Sequence, residues 1–562
     1  MNLNLQVKDI GNVILTDTDY LGAGGEASVY TKNNLAYKIY HSHEKMIPLT
    51  KIEELNQITP KNVLKPQNVV YDANLNIPIG FTMTYKRNTI PLCKIFTKAF
   101  KNKKNISNDD ITNLVKEIQQ TISKIHKNGC LIVDLNEMNI LASSSIKTPY
   151  FIDVDSWQTK SHRATALMES IRDRLVKKNS WTELSDWFSF AVIAFQLYIG
   201  IHPFKGKHPD FKQNEWTKRM DMGVSIFDPD VRLPKVCNDF SVIPSKHLEW
   251  FKSIFVNNDR SIPPLPDVIV AIPVQPLEKI IETNENFEIG LVNEYKESIH
   301  SMFNFMGINY EIGLSKIYKE QEALPHNIEN CKVGLCNSSD MSPVICKLQD
   351  ENLIFEDIEE KEIGKIDALD VMFKNGCAYS IKGGHLTESS FDKMGDKFIH
   401  KVKNVCNVLD NATKVFDGVI FQDLLGKCFI TLPFEKEKCL FAPVKELNRY
   451  RILEAKGDKT VVVILAEKNG RYDRFILIYN DNFTRYSISK NENVGYGAIN
   501  FTVLQNGLCL MVLDGDLHMF KGNKVRIVNN PPFDSSMKLS NHSGKVYFID
   551  NNKLYLCSIK NK

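Results

Sequence analysis

The chain has 562 residues, more than one compact core holds at roughly 100 to 200 residues per domain. Its 43% apolar and 24% charged content is the usage of folded globular domains, which excludes a disordered chain. Lys and Arg number 70 against 67 Asp and Glu, a net charge of +3, so a general polyanion binder is excluded and no nucleic-acid partner is expected.

The 12 cysteines contain no C-x-x-C pair, Cys331 and Cys336 being the closest, so neither a zinc ribbon nor a small disulfide scaffold fits. Buried thiols in a reducing compartment account for them. The opening residues MNLNLQVKDIGNV place Lys8 and Asp9 where a secretory leader needs a continuous apolar run. The longest apolar stretch, Trp187 to Ile199, falls short of the ~20 residues that cross a bilayer. A cytoplasmic protein without membrane partners is expected.

From Ile14 to Tyr85, short β-rich runs are broken by Gly, Asn and Asp, with one helical segment near Leu49 to Ile58. Within them LGAGGEASVY places Gly22, Gly24 and Gly25 in a turn, with Val29 on the strand that follows. Such glycines serve any tight hairpin, but they also let backbone N–H groups approach phosphate oxygens without Cβ clash. Nine residues after Val29, Lys38 lies in LAYKIY, where Ala36, Lys38 and Tyr40 alternate onto one face. A cation on a strand beside a glycine turn can hold α- and β-phosphates.

The pattern turns helical from Ser107 to about Val270. Ser107 is a natural N-cap with Asp109 and Asp110 behind it, and Ile111, Leu114, Val115, Ile118, Ile122 and Ile125 recur at three-to-four spacing until Asn128-Gly129. In the next segment, IHKNGCLIVDLNEMNIL, Asp134 and Asn139 stand five apart, a spacing that lets one loop offer a carboxylate to a hydroxyl nucleophile and an amide oxygen to a metal ion. YFIDVDSWQ then ends an apolar strand in Asp153 and Asp155, oxygen donors suited to Mg²⁺. The segment Ser185 to Ile199 is apolar nearly all round and predicts a helix buried on every side, with Asp186 at the end where a carboxylate caps a helix. Lys101, Lys103 and Lys104 read as a solvated basic loop, and His41 and His43 as exposed loop residues.

Beyond Pro276 an acidic stretch, EKIIETNENFE, predicts a connection over 276–330. The rest repeats strand, turn and strand, with anchors at Leu353, Leu386, Phe429, Ile476, Leu517 and Leu554 that lie 33, 43, 47, 41 and 37 residues apart. A period near forty in an all-β region matches four-stranded propeller blades; an irregular β-sandwich is the alternative. The expected division is 1–86, 87–275, a connection over 276–330, and a β-propeller-like domain over 331–562.

The order G-x-G-x-x-A-x-V, A-x-K, D-x-x-x-x-N, a strand-borne Asp and a buried S-D-W-F helix resembles the protein kinase fold over residues 14 to 270. It is most similar to a bacterial Ser/Thr kinase-like branch with D-x-N-x-x-N and I-D-x-D-S-x-Q, here Asp134 to Asn139 and Ile152 to Gln158. The resemblance implies an α+β bilobal protein-kinase-like fold, with lobes over 1–86 and 87–275, followed by the all-β region. It implies ATP and Mg²⁺ as cofactors and a protein hydroxyl as substrate.

By the same resemblance Gly22, Gly24, Gly25, Val29 and Ala36 surround the nucleotide, and Lys38 holds its phosphates and pairs with a helix glutamate, Glu53 or its rival Glu54. Asp134 takes or steers the hydroxyl proton, Asn139 and Asp153 hold Mg²⁺, Asp186 bonds the catalytic-loop backbone, and Arg260 closes the large lobe. A metal-dependent phosphatase and a von Willebrand factor A-type protein are implied as partners.

Four departures accompany the likeness. Val133 replaces the arginine that reads activation-loop phosphorylation, Asn136 replaces a lysine, and Asp155 stands at the glycine of the metal-binding triplet. No A-P-E string appears between Gln158 and Trp181, Glu169 and Glu183 being poorly spaced substitutes. That gap leaves a pseudokinase scaffold and a small-molecule kinase as rival readings.

Overall fold

The computed structural model describes residues 3–177, 179–265, 287–435, 438–521, 524–529, 531–542 and 544–559. They form two compact units. The first comprises residues 1–278 with two short later segments, 467–473 and 491–497; the second holds the remainder from 279 onward.

In the first unit, seven strands make one antiparallel sheet in the order Gly11–Leu15, Leu3–Val7, Val69–Asp72, Pro78–Thr84, Leu35–Tyr40, Ala27–Lys32, Tyr20–Ala23. The period-two alternation of LAYKIY sorts its side chains. Tyr37 and Ile39 join Leu5, Val7, Leu15 and Val70 in an apolar cluster on one face, leaving Lys38 and Tyr40 on the other. Helix Leu49–Asn56 follows this strand, where the sequence predicts it.

The helical part is built around Asn108–Lys127 and Glu183–Ile199. Ser107 caps the first in a box with Asp110, as its sequence predicts, and its apolar stripe from Ile111 to Ile125 is wholly buried. The second starts two residues before the predicted point and is capped by Thr182, which releases Asp186 for another task. From Ser185 to Ile199 every residue of this helix is buried. Among the described residues no helix is long and apolar enough to cross a membrane.

The second unit is all-β: seven four-stranded antiparallel sheets among the described residues. The acidic connecting stretch lies mostly outside the described residues, but from Phe287 onward the expected connection over 276–330 is corrected. Phe287–Glu294 pairs with Lys553–Ile559, and Ser301–Phe305, Ile308–Ile312, Ile317–Lys319 and Glu322–Ala323 make a sheet of their own. The turn Met306-Gly307 joins the first two of these strands, with both residues at positive φ as a tight hairpin requires.

Candidate active site

The glycine turn joins Tyr20–Ala23 to Ala27–Lys32 and is closed by a hydrogen bond from Gly24 N to Ala27 O of 2.8 Å. Gly22 lies opposite Val29, and Val29 opposite Lys38 on the next strand, so turn, valine and lysine share one patch of sheet. Gly24 and Gly25 are exposed, and no atom crowds a Cβ at Gly22 or Gly25. Those backbones are open to an approaching ligand.

Lys38 Nζ donates to Asp153 Oδ1 at 2.8 Å and to both carboxylate oxygens of Asp155 at 2.9 and 2.7 Å. Burial alone would strip its proton, but the two carboxylates outweigh burial and hold its pKa above the ordinary lysine value. Glu53 is exposed, and Glu54 accepts hydrogen bonds from Ser161 N at 3.2 Å and from the His162 ring at 3.4 Å. The partners of Lys38 therefore come from the loop of Asp153 and Asp155, whereas the sequence pointed to a helix glutamate.

Asp134, Asn136 and Asn139 shape one tight loop. The Asn136 carboxamide oxygen accepts from Met138 N at 2.8 Å and Asn139 N at 3.1 Å, an Asx turn that sets the position of Asn139. Asn139 Nδ2 donates to the Asp134 carbonyl and to Asp134 Oδ2, both at 3.1 Å, which leaves its Oδ1 for a metal. Asp134 Oδ1 accepts from Met168 N at 2.6 Å. Ile152 N bonds Asn139 O at 2.9 Å, and Leu131 and Gln158 exchange two backbone bonds of 2.9 Å, so the loops of Asp134 and Asp153 are laced together.

Asp186 supports this arrangement from below. Its buried carboxylate accepts from Ile132 N and Val133 N, each at 2.8 Å, and from His126 Nε2 at 2.9 Å. Val133 has φ of 63°, a conformation costly for a β-branched residue, and the carboxylate holds it there. Of the two readings of Asp186, the backbone-bonding one holds.

Sequence reasoning missed four residues. Asp173 forms a buried bidentate pair with Arg260 at 2.6 and 2.7 Å, so the carboxylate that meets Arg260 is neither Glu169 nor Glu183. Glu169 instead bonds Arg172 and Arg174. Lys51, buried on helix Leu49–Asn56, donates to the Asp155 carbonyl at 2.7 Å. Glu137, in the loop of Asp134, accepts from Tyr472 Oη, in the segment 467–473 that packs with this unit. Asp173 and Tyr472 find partners 87 and 335 residues away, which no local pattern records.

Oxygen donors fit a hard cation here: the free oxygen of Asn139 and the second carboxylate oxygen of Asp153, whose side chain is 40% exposed. Compared with known proteins, the protein kinase domain family matches residues 16–255. Ribosomal protein S6 kinase alpha-3 of Mus musculus and of Homo sapiens are each 27% identical over 104 residues, 18% of this chain and 14% of theirs. Serine/threonine-protein kinase ppk21 of Schizosaccharomyces pombe is 24% identical over 189 residues, 28% of this chain and 34% of its own. The matches thus span about a third or less of those relatives. The chain carries a protein kinase domain over residues 16–255, followed by a large all-β region.

Proposed function

We propose that the chain is an ATP- and Mg²⁺-dependent serine/threonine protein kinase acting in the cytoplasm, whose all-β part is a seven-bladed propeller that recruits protein substrates or partners. The observation that carries the reading is that Lys38, on its strand, bonds Asp153 while Asp153, Asp134 and Asn139 lie in one laced pair of loops. The propeller reading rests on seven successive four-stranded sheets whose last is completed by the first strand of the region.

In this reading the glycine turn lies over the nucleotide, its amides facing phosphate oxygens, while the Lys38 ammonium meets the α- and β-phosphates. Asp153 and Asn139 hold Mg²⁺, which when bound neutralises phosphate charge. Asp134 receives the substrate hydroxyl proton as its oxygen attacks the γ-phosphorus and the bond to ADP breaks. Catalysis is chiefly positioning, and the Asp186 scaffold fixes the base.

The test is incubation with γ-labelled ATP and Mg²⁺. Label on a protein, reduced about 10²-fold or more in Asp134→Asn and Lys38→Met, supports the reading. Label on a metabolite makes the chain a small-molecule kinase. Nucleotide-dependent stabilisation without transfer makes it a scaffold.

A further inference from the structure

In the kinase domain a buried lysine on the nucleotide face needs a fixed counter-charge, because an unpaired buried ammonium loses its proton or its place. The resemblance expects that charge from helix Leu49–Asn56. Here the helix turns a cation inward instead: Lys51 is buried and its ammonium reaches the Asp155 main chain, while Glu53 faces solvent and Glu54 is engaged with Ser161 and His162.

The carboxylate that takes up Lys38 stands where the metal-binding triplet has glycine. Asp155 is buried, accepts from Lys38 with both oxygens, and accepts a further bond from Tyr40 Oη at 2.5 Å. Tyr40 lies on the same strand face as Lys38 and packs edge-on against Phe81. The donors on Asp155 are thus themselves held by the sheet, and Lys51 pins its backbone from the other side.

We propose that Asp155 is the positioning residue of this active site: it replaces the helix glutamate as the anchor of Lys38 and ties the phosphate-binding cation on its strand to the loop that carries the metal-binding Asp153. When nucleotide and metal enter, Asp153 is free to turn from Lys38 to the metal while the two-oxygen grip of Asp155 keeps the ammonium aimed. The site is assembled without any swing of helix Leu49–Asn56. The inference rests on the kinase reading above and assigns the part that lies outside the motif's usual roles.

Asp155→Asn keeps the shape of the side chain, the Tyr40 bond and the main-chain bond to Lys51, and removes the charge. In the full chain it is expected to raise KM for ATP and weaken ATP binding by about tenfold or more, with a smaller change in kcat. Glu53→Gln and Glu54→Gln are expected to stay within about twofold of wild type in KM.

A wild-type-like KM in folded Asp155→Asn overturns the proposal. So does a loss of about tenfold in either glutamate variant, a measurement that stands even if Asp155→Asn does not fold. A wild type that binds ATP without transferring phosphate sinks the kinase reading alone, since the binding comparison still reports on Asp155. A wild type indifferent to ATP overturns both.

Discussion

Asp134 is buried beside Asp153, and desolvation lifts its carboxyl to about 6 against the hydrogen bonds of Asn136, Met168 and Asn139 that pull it down. A proton acceptor must be ionised, so the acid form that dominates below that value is inactive. The kinase reading therefore expects kcat/KM to fall about tenfold per unit as pH drops below about 6, and to level off above it. A profile flat down to pH 4.5, with the protein still folded, would count against Asp134 as the base. At this scale the contact of Asn139 with Asp134 was legible, because two residues five apart share one loop. Asp155 as partner of Lys38 was not. The helix LTKIEELN carries polar residues on several sides, and an eight-residue segment leaves its inward face open until the sheet is placed against it.

The strand bearing Lys38 is held in register between Ala27–Lys32 and Pro78–Thr84, and its contact with the latter is unusually close at Gly80. A Cβ there would lie 2.1 Å from Lys38 O and 3.1 Å from Ile39 Cα, both backbone atoms with no rotamer to yield. Gly80→Ala must push the strand aside, at a cost of about 1 to 3 kcal/mol. The expected outcome is a lowered denaturation midpoint together with weaker ATP binding, since Lys38 moves with its strand; unchanged affinity in a destabilised variant would mean that the shift is absorbed elsewhere. Periodic elements were the easiest to read, and the capped helix Asn108–Lys127 matches its expectation nearly to the residue. Lys101 illustrates the opposite case. Expected in a solvated loop, it lies in helix Lys98–Lys103, buried, with its ammonium on the Leu197 carbonyl near the end of helix Glu183–Ile199. Burial lowers its pKa to about 8, a state that composition alone does not foretell.

Across the whole chain, the repeat from Leu353 onward was visible because each four-stranded sheet uses a similar length of sequence, whereas the pairing that completes the last sheet was not. Phe287–Glu294 meets Lys553–Ile559 across nearly the whole length of the β region, and a long-range pairing leaves no local trace in either strand. Its packing indicates what it is worth. Phe287, Leu554 and Cys557 are buried, and Phe287 and Cys557 share an apolar cluster with Leu510, Leu517, Phe533, Leu539 and Phe548, which spans two adjacent sheets. Removing residues 553–562 would strip Phe287–Glu294 of its only strand neighbour in that sheet, and would leave Lys545–Asp550 paired on one side only. Deleting the buried Leu554 and Cys557 and uncovering Phe287, at about 2 to 5 kcal/mol for each large side chain, is comparable with the whole stability of an ordinary domain. The β-sheet signal in circular dichroism should accordingly lose its cooperative thermal transition on truncation, and Leu554→Asp alone should lower the midpoint in the same direction. A transition of unchanged midpoint and steepness in the truncated chain would mean that the second unit holds together without its closing strand.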